Sequence, residues 1–85
     1  MVAAMNNWWP PALSSVRAFE ASARLSSFTK AAAELSITQS AVSHGVRDLE
    51  ERFKVALFVR NSRNLALTEV GRLALAVAGE PEIFP

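Results

Sequence analysis

The run FTKAAAELSITQSAVSHGVRDLEERF, residues 28–53, decides the fold. Phe28, Ala31, Ala32 and Leu35 recur at helical spacing and share one face of a short helix over about 28–35, with Ser27 placed to cap it. Ser36-Ile37-Thr38 breaks that period. Thr38 is a good N-cap for a longer helix to about Phe53, whose buried stripe is expected at Val42, Val46, Leu49 and Phe53. Ile37 and Val42 have the spacing of a hydrophobic staple, while Ser36 with Gln39 also fits a capping box, so the boundary is set to within two residues. A short helix, a turn of about three residues and a second helix make a helix-turn-helix candidate. Such helices cross closely and need small side chains where they touch; Ala31, Ala32, Ala33 and Ala41 are expected there.

Upstream, Ser14 is expected to cap a first helix running to about Arg24, with Val16, Phe19 and Ala23 as its inner stripe. The first dozen residues read as an arm, because Pro10 and Pro11 interrupt any helix and Trp8 and Trp9 have no periodic context. The two tryptophans are as well suited to cover an apolar patch, on this chain or a neighbour, as to have no such role. Downstream, Leu57-Phe58-Val59 and Leu65-Ala66-Leu67 are short β-prone runs on either side of polar Arg60-Asn61-Ser62-Arg63-Asn64, which reads as a hairpin. Thr68 then caps a fourth helix, Glu69 suits its first turn, and Val70, Leu73, Ala74 and Val77 form its stripe. Gly79-Glu80-Pro81 ends it.

Composition narrows the function. At 85 residues the chain holds one domain with one modest core. Cysteine and tyrosine are absent and there is one histidine, so thiol chemistry is excluded and little is left for acid–base work near neutral pH. The reading is therefore no enzyme, no cofactor and no metal. Net charge is only +1, but residues 24–63 carry seven cations against four anions, whereas residues 64–85 carry one cation against three. The basic bias lies where a polyanion would be met. No apolar run approaches the ~18 residues that span a bilayer, and the start lacks a basic n-region. A cytoplasmic protein without a membrane partner is expected.

The second helix of the motif turns short polar side chains outward at its N-terminal end, Gln39, Ser40, Ser43 and His44, as a helix entering the major groove requires. Its N-terminus would also attract phosphate. The hairpin becomes a wing from which Arg60 and Arg63 reach backbone or minor groove. Bland alternatives stand beside these roles. A polar helix face is commonly only solvated, Arg47 has Asp48, Glu50 and Glu51 close by as internal partners, and Thr38 serves first as a cap.

The run from Phe28 to Gly71 closely resembles the N-terminal DNA-binding domain of LysR-type transcriptional regulators. SFTKAAAEL, ITQSAVSH, DLEE, LFVR and LTEVG carry the resemblance, and upstream PPALSSVRAFEASAR looks most like the branch containing the glycine-cleavage activators. The resemblance implies a mainly α fold: a winged helix-turn-helix with a three-helix core, a β-hairpin wing and a truncated linker helix. It implies an arm over 1–10, the domain over 11–68 with its motif at 28–47 and wing at 57–67, and a linker helix and tail over 69–85; the family continues into an effector-binding domain, which is expected to be absent here because Gly79-Glu80-Pro81 stops the helix. It also implies sequence-specific binding of double-stranded DNA in bacterial transcription control. Gln39, Ser40, Ser43 and His44 match positions that approach bases or phosphates. Thr29 and Lys30 match positions near the backbone, and Arg60 matches the wing arginine, with Arg63 at the tip. Thr38 and Arg47 complete the expected contact set.

Val70, Leu73, Ala74 and Val77 are expected to mediate self-association, weakly in a short helix. The alternative is a winged-helix protein-interaction module, or a truncated regulator that associates with full-length relatives. Two residues depart from the family. Gly45 stands where a long polar side chain is usual, which removes a possible base contact, and Lys54 stands where glycine normally ends the helix.

Overall fold

The computed structural model describes residues 13–60 and 65–78. The arm with Trp8, Trp9, Pro10 and Pro11, the wing tip with Arg63, and the helix stop Gly79-Glu80-Pro81 lie outside the described residues. Among the described residues four helices and two strands follow in order: α1 (Leu13–Leu25), α2 (Phe28–Leu35), α3 (Gln39–Phe53), β1 (Phe58–Arg60), β2 (Leu65–Leu67) and α4 (Glu69–Ala78). The strands pair antiparallel, with Phe58 opposite Leu67 and Arg60 opposite Leu65. Among the described residues no helix is long and apolar enough to cross a membrane.

Local chemistry sets the boundaries. Ser27 accepts from Lys30 N at 3.0 Å and starts α2; Thr38 accepts from Ala41 N at 3.0 Å and starts α3. Three serine or lysine residues in the left-handed region follow the helices: Ser26 (φ 53°), Ser36 (φ 59°) and Lys54 (φ 57°). At Ser36 the turn closes as Ser36 N donates to Ala33 O and Ile37 N to Ala32 O, which uses up the terminal carbonyls of α2. Helix α1 begins at Leu13, so Ser14 lies inside the helix rather than capping it.

The core sits where α1 crosses α2 and α3. Phe19, Ala31, Val42 and Val46 are fully enclosed, with Ala18, Ala21 and Leu49 around them. Phe58 brings the wing into this core: its ring meets Phe19 at 5.7 Å and Phe28 at 5.8 Å between centroids, both edge to face.

Three expectations about packing need correction. Phe53 is 55% exposed although the 100° step per residue keeps it on the Val42–Val46–Leu49 face; it is the last residue of α3, and burial along that face ends one turn earlier, at Leu49. Ala33 and Ala41 are exposed; only Ala31 and Ala32 face inward, as the 100° step per residue carries Ala33 off the contact face. The closest approach is between α1 and α3 instead, where a Cβ on Gly45 would lie 3.1 Å from Ala18 Cβ and 3.5 Å from Ser15 Cα. Gly45 thus faces α1, and its missing side chain serves helix packing rather than leaving a vacant base contact. The staple is half made: Val42 is enclosed while Ile37 remains 44% exposed.

Helix α4 leaves most of the Val70, Leu73, Ala74 and Val77 row outside the core. Gly71 and Ala78 are buried and Ala74 and Leu75 partly so, whereas Val70, Leu73 and Val77 point outward. Thr68 docks its start: the hydroxyl donates to Ala56 O at 2.7 Å and accepts from Gly71 N at 2.9 Å, and Thr68 N donates to Leu57 O at 3.0 Å.

Candidate nucleic-acid interface

The turn at Ser36-Ile37 delivers the N-termini of α2 and α3 to one place, and a side-chain bond joins them. Thr29 Oγ1, in the first turn of α2, donates to Gln39 Oε1, at the first position of α3, at 3.0 Å. Around this junction Thr29, Lys30, Thr38, Gln39, Ser40 and His44 are all exposed, and Ser43 is half-buried. Arg47, one turn beyond Ser43, is exposed and forms no ion pair among the described residues, although Asp48, Glu50 and Glu51 are close in sequence. Thr38 Oγ1 accepts the capping bond of α3, which leaves its O–H as a donor. Unengaged backbone N–H groups and the helix dipole make this end of α3 attractive to anions.

Arg60 is more constrained than its sequence context suggests. Its guanidinium pairs with Glu50 at 2.9 Å and lies over the Phe28 ring at 5.9 Å. Between the end of α3 and the base of the wing runs an open groove of about 450 Å³, lined by Arg47, Glu50, Glu51, Lys54, Val55, Ala56 and Arg60. In the sequence Glu50 stands as one of four anions and as a neighbour of Arg47. The structure gives it three donors, since Leu57 N and Phe58 N also reach it, at 2.8 and 3.3 Å. No local pattern flags this role, because the wing strand arrives seven and eight residues later.

Away from this face the charges serve the scaffold. Arg24 pairs with Glu20 at 2.8 Å and with Glu34, tying α1 to α2. Hydrogen bonding to Glu20 and then Glu34 raises the Arg24 pKa further above its ordinary value, and the bond from Arg24 lowers that of Glu34. Among the described residues no three of His, Asp and Glu gather as a metal site would require.

Residues 13–72 match the family described as bacterial regulatory helix-turn-helix protein, lysR family. The chain is 60% identical over 65 residues to the HTH-type transcriptional activator AmpR of Pseudomonas aeruginosa, covering 76% of this chain and 22% of that protein. It is 50% identical over 62 residues to the glycine cleavage system transcriptional activator of Escherichia coli, covering 73% of this chain and 20% of that protein. It thus spans about a fifth of the length of these curated relatives. Among solved structures, the BenM DNA-binding domain in complex with catB site 1 DNA superposes with a TM-score of 0.75 at 36% identity, over 79% of this chain and 74% of that one. The LysR family transcriptional regulator VV2_1132 superposes with a TM-score of 0.76 at 35% identity, over 87% of this chain and 25% of that one.

Proposed function

From the premise that the chain belongs to the lysR family of bacterial regulatory helix-turn-helix proteins, we propose that it binds double-stranded DNA with α3 in the major groove and the wing on backbone or minor groove, in the control of transcription. The observation that carries this is the junction of Thr29 and Gln39, which joins two helix N-termini into one exposed polar face. Gln39, Ser40, Ser43 and His44 face base edges; Thr29 lies beside the backbone and orients Gln39; Lys30, Thr38 and Arg47 hold phosphates; Arg60 and Arg63 serve from the wing. A DNA partner places this work in the cytoplasm, and it needs neither catalysis nor cofactor.

The test is selection from a random duplex pool, followed by binding at several salt concentrations. Four to six phosphate contacts give a slope of log affinity against log salt of about −4 to −5. Affinity indifferent to salt, with no sequence enriched, overturns the reading in favour of a protein-interaction module.

A second role rests on α4, whose Val70, Leu73 and Val77 are 45%, 67% and 60% exposed. This row, with Ala74 at its edge, is suited to pairing with a second copy or a longer relative. Two turns of apolar surface at about 25 cal/mol per Å² leave little after association entropy, so the dimer is weak, with dissociation in the micromolar range or above. Sedimentation of the 85-residue chain reads this directly. A stable dimer at low micromolar concentration that survives Leu73→Glu overturns it.

A further inference from the structure

Beside the Phe58 ring contacts, one carboxylate ties the wing to the helical core. Glu50 has a side chain only 13% exposed, and it accepts from the N–H groups of Leu57 and Phe58, the two buried residues by which the wing enters the core. The same carboxylate holds the Arg60 guanidinium at 2.9 Å, at the edge of the groove that Arg47 and Lys54 also line. One group therefore acts on both the backbone at the base of the wing and the charge of Arg60.

We infer that Glu50 is the positioning residue of the wing and competes with DNA phosphate for Arg60. The inference rests on the DNA-binding reading above. A guanidinium already paired with a carboxylate neutralises a phosphate less completely than a free one. Binding to arbitrary sequence depends almost wholly on such neutralisation, so Glu50 restrains it. The same neutralisation contributes to binding a preferred sequence, so Glu50 restrains both modes, while the contacts of α3 to base edges are left untouched.

Glu50→Gln keeps an acceptor oxygen for the wing N–H groups and removes the charge. Binding is measured to a random-sequence duplex and to the duplex enriched by selection. On the random duplex Glu50→Gln is expected to bind several-fold tighter at low salt, with a slope steeper by up to about 0.9, one phosphate's worth. The selected duplex gains by a similar factor, since the wing meets its backbone as well. Adding Arg60→Gln cancels the gain, and Arg60→Gln alone in the native background shifts the slope by less than it does beside Glu50→Gln.

A purely structural Glu50 would lower the melting temperature and leave the slope alone. An unchanged slope in Glu50→Gln, with equal Arg60 effects in both backgrounds, overturns the inference. A native chain whose binding ignores salt overturns the DNA reading beneath it, and the two failures are distinct. Where circular dichroism finds Glu50→Gln unfolded, Arg60→Gln in the native background decides. A shift well under about 0.9 supports the competition, and a full loss of about 0.9 refutes it.

Discussion

Gly71 lies under the carbonyl of Leu57 so closely that a Cβ there would fall 2.1 Å from the oxygen and 2.9 Å from Leu67 Cδ2. The same carbonyl accepts from Thr68 N, so the first turn of α4 docks directly onto the backbone that enters the wing. Neither side of the contact can yield without breaking that bond. Gly71→Ala is expected to destabilise the domain by more than about 2 kcal/mol, despite the helix propensity it gains. Urea unfolding checks this, and an unchanged midpoint refutes it.

Lys54 ends α3 in the left-handed region, at φ 57° and ψ 38°. A Cβ in that region costs about 1–2 kcal/mol, which glycine avoids. The ion pair it forms with Glu51, 3.5 Å long and fully open to solvent on both sides, offsets little of this. Lys54→Gly should therefore stabilise the fold by about 1 kcal/mol, visible as a higher urea midpoint at constant slope.

Much of this architecture was legible because its determinants are local. The caps at Ser27, Thr38 and Thr68 are single residues bonded to N–H groups three positions on, and each marked a helix start correctly. The stripe Val42, Val46, Leu49 follows helical period and is buried as read. What local pattern does not carry is which way a helix turns in the fold. The outward row on α4 depends on where Gly71 meets Leu57, and Phe53 is exposed although it keeps the period of the buried α3 stripe. At the interface, residue types along α3 pointed to a polar N-terminal face. The engagement of Arg60 by Glu50, ten positions away across a change of secondary structure, left no trace in spacing.

Gly45 shows the same limit. On helix propensity alone, Gly45→Ala would stabilise by about 1 kcal/mol. The added Cβ meets Ala18 Cβ at 3.1 Å, and Ser15 Cα stands behind it, both fixed to a rigid helix. The crossing of α1 over α3 must open, which also strains the Ser15–Asp48 hydrogen bond of 3.4 Å. Gly45→Ala is expected to melt no higher than the native chain and to select the same DNA sequences. A rise in melting temperature would show that the crossing has slack.

The bond from Thr29 to Gln39 makes a further prediction about recognition. Thr29 engages Oε1 of Gln39, so the amide is held in one orientation before any DNA arrives, and its N–H groups are turned free as donors. A pre-oriented amide loses less freedom on contacting a base edge than a free one. Thr29→Val keeps the shape and removes the hydroxyl. It should weaken binding to the selected duplex several-fold while barely altering the salt slope, since no phosphate contact is lost. In a Gln39→Ala background the same change should do almost nothing, giving a coupling of more than about 0.5 kcal/mol between the two positions. If Thr29 instead acted only by holding phosphate, Thr29→Val would weaken selected and random duplexes alike, and equally with or without Gln39. Fluorescence anisotropy on the four proteins of the cycle separates the two outcomes.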